Sequence, residues 1–289
     1  MTRILVTGAT GQIGREVVSQ LHGAGCRIRA MSRNPQSAKL PAGVEVVQGD
    51  LLAPETLDAC LTGIDSVFLV WLGALAAASP AIDRIAAHAE RIVLLTSPHR
   101  TPHPFFQQPN GLRAIHAGVE QLVEQSGVRW TFLRPGPFAL NCRNWWAAQI
   151  RTDNVVRWCY ADAETAPVHE RDIAAVAARA LCDDGHDGRE YLLTGPASLT
   201  QRKQVQIIGD AIGRPLQFEE LPRPSARDQM LAMRFPPFAA DMLLDAYAAA
   251  VGQPALVTST VHDVTGTPAR SFGEWAADHA GEFVPQPGE

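Results

Sequence analysis

Lysine is nearly missing from this 289-residue chain: Lys39 and Lys203 are the only two among 25 basic residues. Tyrosine is scarce as well. Of Tyr160, Tyr191 and Tyr247, none has a lysine four positions on. Proton donation by a tyrosine with a lysine one helical turn away therefore has no carrier. The five cysteines (Cys26, Cys60, Cys142, Cys159, Cys182) fall at no metal-ligand or redox spacing, so no metal is expected. Cys26 and Cys60 lie in apolar segments and read as reduced core residues. No apolar run reaches membrane-spanning length; the most apolar stretch, 67–78, reads as a buried strand plus loop. The first strand starts too early to leave room for a signal peptide, so a cytoplasmic protein without a membrane partner is expected. Excess positive charge is absent too. The net charge of −5 argues against a nucleic-acid partner.

What is present is an apolar strand running into three glycines: Ile4-Leu5-Val6-Thr7-Gly8-Ala9-Thr10-Gly11-Gln12-Ile13-Gly14. A helical stripe follows at Ile13, Val17, Val18 and Leu21. This pattern spells a strand–turn–helix that cradles a dinucleotide pyrophosphate. Gly8 permits the turn, Gly11 lets the backbone approach the phosphates, and Gly14 lets helix and strand close up. Free N–H groups and the positive end of the helix dipole favour anions there.

Apolar strands are expected at 3–7, 27–32, 44–48, 66–71, 91–96 and 129–134, with helices at 12–24, 54–61, 79–88 and 112–126. Alternation of this kind predicts an α/β fold, a Rossmann-type doubly wound parallel sheet covered on both faces. The dinucleotide-binding domain is drawn as 1–135. The region 136–289 is a smaller, mostly helical substrate side, interleaved with returns to the sheet. Its elements are helices at 138–150, 170–181 and 200–212, strands at 155–159, 190–193 and 216–221, and a mostly helical 224–251 broken at Pro236-Pro237. Residues 226–250 read as a lid or an oligomer surface, which leaves a homodimer open. The tail 283–289 reads as frayed.

Further motifs include Gly49-Asp50-Leu51, His116-Ala117-Gly118-Val119-Glu120, Arg129-Trp130-Thr131-Phe132-Leu133-Arg134-Pro135, Val168-His169-Glu170-Arg171-Asp172 and Leu193-Thr194-Gly195-Pro196. With the glycine run and the segment 266–275, they resemble the atypical and extended short-chain dehydrogenase/reductases. The likeness is greatest to the NmrA-like NAD(P)H-binding branch, over nearly the whole length.

The second strand ends Met31-Ser32-Arg33-Asn34, without the carboxylate that would hold adenosine ribose hydroxyls. Ser32 and Arg33 suit a 2′-phosphate, which favours NADP(H) over NAD(H). With Gly8, Thr10, Gly11, Gln12, Ile13 and Gly14, they form the expected cofactor site. The resemblance adds Asp50 and Leu51 beside the adenine, although Asp50 equally suits a cap for the helix at Pro54. It also places Val70 and Trp71 along the ribose side, Thr96 and Ser97 facing the nicotinamide, and Pro135 to Phe138 closing over it.

Where the resemblance calls for tyrosine and lysine, the 112–126 helix offers His116 and Glu120, four apart on one face. His116 is the candidate proton donor, against the alternative of a pair that only orders the helix. Ser97 either polarises a carbonyl or caps a loop. His99 and His103, in a proline-broken loop, together with Phe138, Asn141 and Trp145, are candidates for the substrate pocket; core packing is the alternative for the aromatics. Trp146 shares that choice. His169 is placed facing the cleft, Asp172 as a dipole-complementing carboxylate, and Arg134 as a structural arginine.

Three functions remain in view. The first is an NADPH-dependent oxidoreductase acting on a small apolar or aromatic quinone, enone, imine or ketone. The second is a non-enzymatic NAD(P)H-sensing regulator. The third is a cyclase, epimerase or isomerase of a secondary metabolite.

Overall fold

The computed structural model describes residues 2–108 and 111–285. Strands β1 (Arg3–Val6), β2 (Arg27–Ser32), β3 (Glu45–Gln48), β4 (Ser66–Val70), β5 (Arg91–Leu95), β6 (Arg129–Pro135) and β9 (Arg189–Leu193) form one sheet in the order β3-β2-β1-β4-β5-β6-β9. Every pairing in it is parallel. The central strands are continuous apolar runs because both faces are covered. Ile4, Val6, Phe68 and Val93 face one core; Leu5, Val67, Leu69, Ile92 and Leu94 face the other.

Helices α1 (Gln12–Gly23), α6 (Glu170–Cys182) and α10 (Thr260–Thr265) cover the first face. Helices α2 (Leu57–Leu61), α3 (Ala78–His88) and α4 (Gly111–Gln125) cover the second. Strand order reverses between β1 and β4, so the loops leaving these strands part and open a crevice at their carboxyl ends. Thr7 staples this point. Its hydroxyl donates to Phe68 O at 3.0 Å and accepts the Val70 N–H at 2.9 Å.

A third core, built around Trp146, Trp158 and Trp275, lies beyond β6. It gathers α5 (Leu140–Thr152), β7 (Val155–Trp158), α7 (Gln201–Ala211), α8 (Arg223–Ala232), α9 (Pro237–Ala250) and α11 (Phe272–Asp278). Two small ladders complete it, β7 with β11 (Gln217–Glu220) and β8 (Glu164–Thr165) with β10 (Leu199–Thr200). Pro237 occupies the first turn of α9, where its missing N–H is harmless, so Pro236-Pro237 separates α8 from α9.

Several local expectations change. The helix expected from 138 begins at Leu140, because Phe138 bridges to Val168. Phe283 is fully buried against Trp275 and is no part of a frayed tail; residues 286–289 of that tail lie outside the described residues. Although no spacing in the sequence links them, Cys26 and Cys182 meet with their sulfurs 3.3 Å apart. No helix among the described residues is long and apolar enough to cross a membrane.

The closing segment is held to the start of α6 by buried ionic contacts. His169, placed facing the cleft by sequence, instead caps α6: its Nδ1 accepts the Arg171 N–H at 3.2 Å. Asp172 accepts the Arg270 N–H at 2.7 Å and pairs with its guanidinium. His279 bridges Glu170 and Glu282, each at 2.7 Å. Burial alone would raise the Glu170 pKa and lower that of His279. The hydrogen bonds outweigh burial, so Glu170 falls and His279 rises from their ordinary values of 4.5 and 6.5.

The raised His279 stabilises the fold fully below 6.5 and loses that contribution as pH climbs through its folded value. The lowered Glu170 contributes above 4.5 and loses it as pH falls through its folded value. His279→Gln should therefore lower the urea midpoint more at pH 6 than at pH 9. An equal loss at both values would show that the contact is not ionic.

Candidate functional site

The loop from Gly8 to Gly14 turns at Gly8, whose φ of +61° is the left-handed conformation that glycine tolerates. A Cβ on Gly14 would stand 2.1 Å from the Gly8 carbonyl oxygen, so only glycine lets α1 approach β1 this closely. Gly11 caps α1 without a side-chain bond, and the first turn carries no acidic residue. None of the hydrogen bonds among the described residues engages the N–H groups of Gln12, Ile13 or Gly14. These unspent donors at a helix N-terminus fit a pyrophosphate. Thr10 is exposed beside them.

At the end of β2, the Ser32 hydroxyl accepts the Asn34 N–H at 3.1 Å. Arg33 is exposed and makes no ion pair among the described residues. The Asp50 carboxylate accepts the Leu52 N–H at 3.0 Å, closing its own turn. It does not cap the helical turn at Pro54, whose N-cap is Ala53. Leu51 is half-buried against the second core. Val70 packs against Gly8, and the Trp71 indole is buried, donating to Gly73 O at 2.9 Å.

At the carboxyl ends of β5 and β6, Thr96 is buried with its N–H on Leu133 O. Its hydroxyl lies 3.4 Å from His116 Nδ1. Burial, then the neighbouring His99, lowers the His116 pKa, only partly countered by Glu120; the ring is neutral near pH 7.

Spacing along the helix pairs His116 with Glu120, but the structure gives Glu120 other partners. Fully buried, Glu120 receives Arg134 as a fork, Nε to Oε1 at 3.0 Å and Nη2 to Oε2 at 2.6 Å. Arg134, buried in β6 beneath α4, also pairs with Glu190 on β9. A buried carboxylate needs a close, planar countercharge, and the guanidinium outcompetes a neutral imidazole. His99 lies against this network, its Nδ1 donating to Ser97 O at 3.0 Å and its Nε2 3.4 Å from Glu120 Oε2 without a hydrogen bond. Burial pulls its pKa down against the pull of Glu120.

Two adjoining cavities, of about 190 and 300 Å³, open beside this edge. They share Pro98, Phe105, Phe106, Met242 and Leu243. Ser97, His99 and His116 line the first, with Arg113 and Leu112 from α4. Pro135, Asn141, Trp145 and Tyr247 line the second. Of the expected pocket residues, His99, Asn141 and Trp145 thus reach a cavity. Trp146 is core. Phe138 packs between the first and third cores. Both nitrogens of His103 are bound to main chain, Nδ1 to the Phe105 N–H and Nε2 to Pro254 O, so it lines only a small crevice alongside.

The aromatic and aliphatic wall from Phe105, Phe106 and α9 was not assigned from sequence. Its signal lies in Met242, Leu243, Ala246 and Tyr247, spaced one turn apart on α9. Among the described residues, no group of three or more His, Cys, Asp or Glu side chains is placed to hold a metal ion.

A doubly wound sheet with an anion-ready glycine loop at its switch point defines a dinucleotide-binding protein. The chain matches the model of the NAD(P)H-binding family over residues 8–184 and belongs to that family, within the NmrA-like, atypical short-chain dehydrogenase/reductases. It is similar to the (4-alkanoyl-5-oxo-2,5-dihydrofuran-3-yl)methyl phosphate reductase of Streptomyces griseus, 41% identical over 98% of this chain and 100% of that one. The NAD(P)H azoreductase of Xenophilus azovorans is 34% identical, over 97% and 99%. The solved NADPH-dependent quinone oxidoreductase of Escherichia coli superposes with a TM-score of 0.79 at 25% identity, over 95% and 98%.

Glu120→Ala should strip Arg134 of its fork and cost about 3–5 kcal/mol of folding stability. Urea unfolding at pH 7 measures it. A loss below about 1 kcal/mol would mean that the network is not a structural anchor.

Proposed function

We propose that the protein is an NADPH-dependent reductase of small, conjugated, electron-poor acceptors, with quinones and enones as the preferred class. One observation carries this reading. The cavities at the carboxyl ends of β5 and β6 are walled by aromatic and aliphatic side chains, and the tyrosine–lysine pair that ketone reduction uses has no counterpart on α4. A conjugated acceptor spreads the incoming charge, so it needs less from a protein acid than an isolated ketone does. The relatives support this. The Streptomyces enzyme's name describes a ring double bond conjugated to two carbonyls, the Xenophilus enzyme is named for azo compounds, and the Escherichia coli enzyme for quinones. An electron-poor π system is common to all three.

When bound, the reduced cofactor supplies a hydride. The residues of this chain do the rest. Gln12, Ile13 and Gly14 offer N–H groups to the pyrophosphate, and Ser32 and Arg33 take the 2′-phosphate. Leu51, Val70 and the main chain at Asp50 and Trp71 border the adenosine. Thr96 and Pro135 bound the nicotinamide side. Phe105, Phe106 and Trp145 exclude water and hold a flat acceptor. His116, held near Thr96, offers a neutral imidazole to the acceptor's oxygen, and Ser97 a hydroxyl beside it.

Purified protein with NADPH should reduce 2-methyl-1,4-naphthoquinone and a 2(5H)-furanone, monitored at 340 nm, and leave cyclohexanone untouched. Normal cofactor binding without turnover of any conjugated acceptor would sink the reading and favour a cofactor-sensing regulator. Arg33→Ala should raise the KM for NADPH about tenfold or more, the worth of one charge-assisted phosphate contact, and leave that for NADH unchanged. A parallel change for both cofactors would remove Arg33 from phosphate recognition.

A further inference from the structure

We infer that the Tyr247 hydroxyl is the hydrogen-bond donor that receives the acceptor's carbonyl oxygen in the second cavity. The inference rests on the reductase reading and deepens it.

Tyr247 lies near the end of α9, on the opposite side of the cavities from the α4 helix that would have carried a catalytic tyrosine. It is only 3% exposed, yet it lines the larger cavity. Its ring is fixed edge-on by Phe105, with centroids 5.4 Å apart at 75°, and by Trp145, at 6.4 Å and 82°. No hydrogen bond among the described residues engages its hydroxyl. The hydroxyl is not among the sealed, unpartnered polar atoms of the described residues, so it keeps a small opening to the space beside it, and a tyrosine so placed ordinarily finds a hydrogen-bond partner there. Other unpartnered donors, such as the indole N–H of Trp146 and Trp158, are sealed inside the third core. Tyr247 instead faces space that a ligand can enter.

Burial, with Cys142 and Cys159 nearby, pushes the phenol well above its ordinary value of 10, so it stays protonated and keeps an O–H to donate at working pH. His116 lines only the first cavity and Tyr247 only the second, with Phe105, Phe106 and Met242 between them. A flat acceptor with an oxygen at each end, such as a 1,4-quinone, matches that layout.

In the reaction, the hydride of the reduced nicotinamide cofactor adds to an electrophilic carbon of the acceptor. The π bond breaks and its electron pair moves to the conjugated oxygen. The Tyr247 O–H stabilises that charge until a proton from water neutralises it, leaving reduced acceptor and oxidised cofactor.

The test compares wild type with Tyr247→Phe, both loaded with NADP⁺, by titrating 2-methyl-1,4-naphthoquinone against tryptophan fluorescence. NADPH turnover is measured alongside. The variant should bind the quinone about tenfold more weakly and lose at least about tenfold in kcat, with the KM for NADPH unchanged. Its melting temperature without ligand should hold, since the hydroxyl bonds no other described residue. Unchanged quinone affinity and kcat would overturn the inference, as would a wild type that shows no saturable quinone binding. A lower melting temperature together with weakened NADPH binding marks a structural role and overturns it too. Quinone binding that depends on Tyr247 without any turnover would leave the contact standing and remove the reductase reading instead.

Discussion

The contact between the first turn of α1 and the Gly8 carbonyl sets the geometry of the cofactor half. With only 2.1 Å between a would-be Gly14 Cβ and that oxygen, the helix can sit directly on the turn that leaves β1. This closeness aims the unpaired N–H groups of Gln12, Ile13 and Gly14 at the crevice between β1 and β4. Thr7 then holds the two strand ends together by bonding both Phe68 and Val70. An extended dinucleotide anchored there would run along the carboxyl edge of the sheet toward β5 and β6.

At that far end, the chain places an ion network where related chemistry uses tyrosine and lysine. Arg134 and Glu120 lock α4 to β6, and His99, bonded to Ser97 O, packs the following loop against that pair. Arg134 and Glu120 lie behind the cavity wall, with His99 at its surface, and the cavity is walled largely by apolar side chains. Its polar groups come from several directions: Ser97 and His99 after β5, Gln108 from the following loop, Arg113 and His116 from α4, Asn141 from α5 and Tyr247 from α9. Such a site suits acceptors whose own conjugation carries most of the charge.

The sheet and its covering helices were legible because doubly buried strands must be apolar throughout and the helices show clear 3.6-residue stripes. The glycine loop was legible because its spacing is a steric requirement. The partners of Glu120 were not. Helical spacing names neighbours one turn away, whereas Arg134 and His99 arrive from β6 and a loop through tertiary packing. His169 looked like a cleft residue and is an N-cap; Phe283 sat among prolines and glycine and is core. Tyr247 carries no mark beyond the spacing it shares on α9; tertiary packing alone sets it against the cavity. Trp145 and Trp146 show the limit plainly: adjacent on one helix, one faces the cavity and the other the core.

In the proposed reaction, the cofactor bound at the glycine loop delivers hydride directly to an acceptor held in the cavity. A single turnover with NADPH deuterated at either face of C4, using a 2(5H)-furanone as acceptor and mass spectrometry of the product, tests it most directly. One deuterium on a ring carbon, from one face only, is the predicted result. Oxidised cofactor with no deuterium in the product would contradict it.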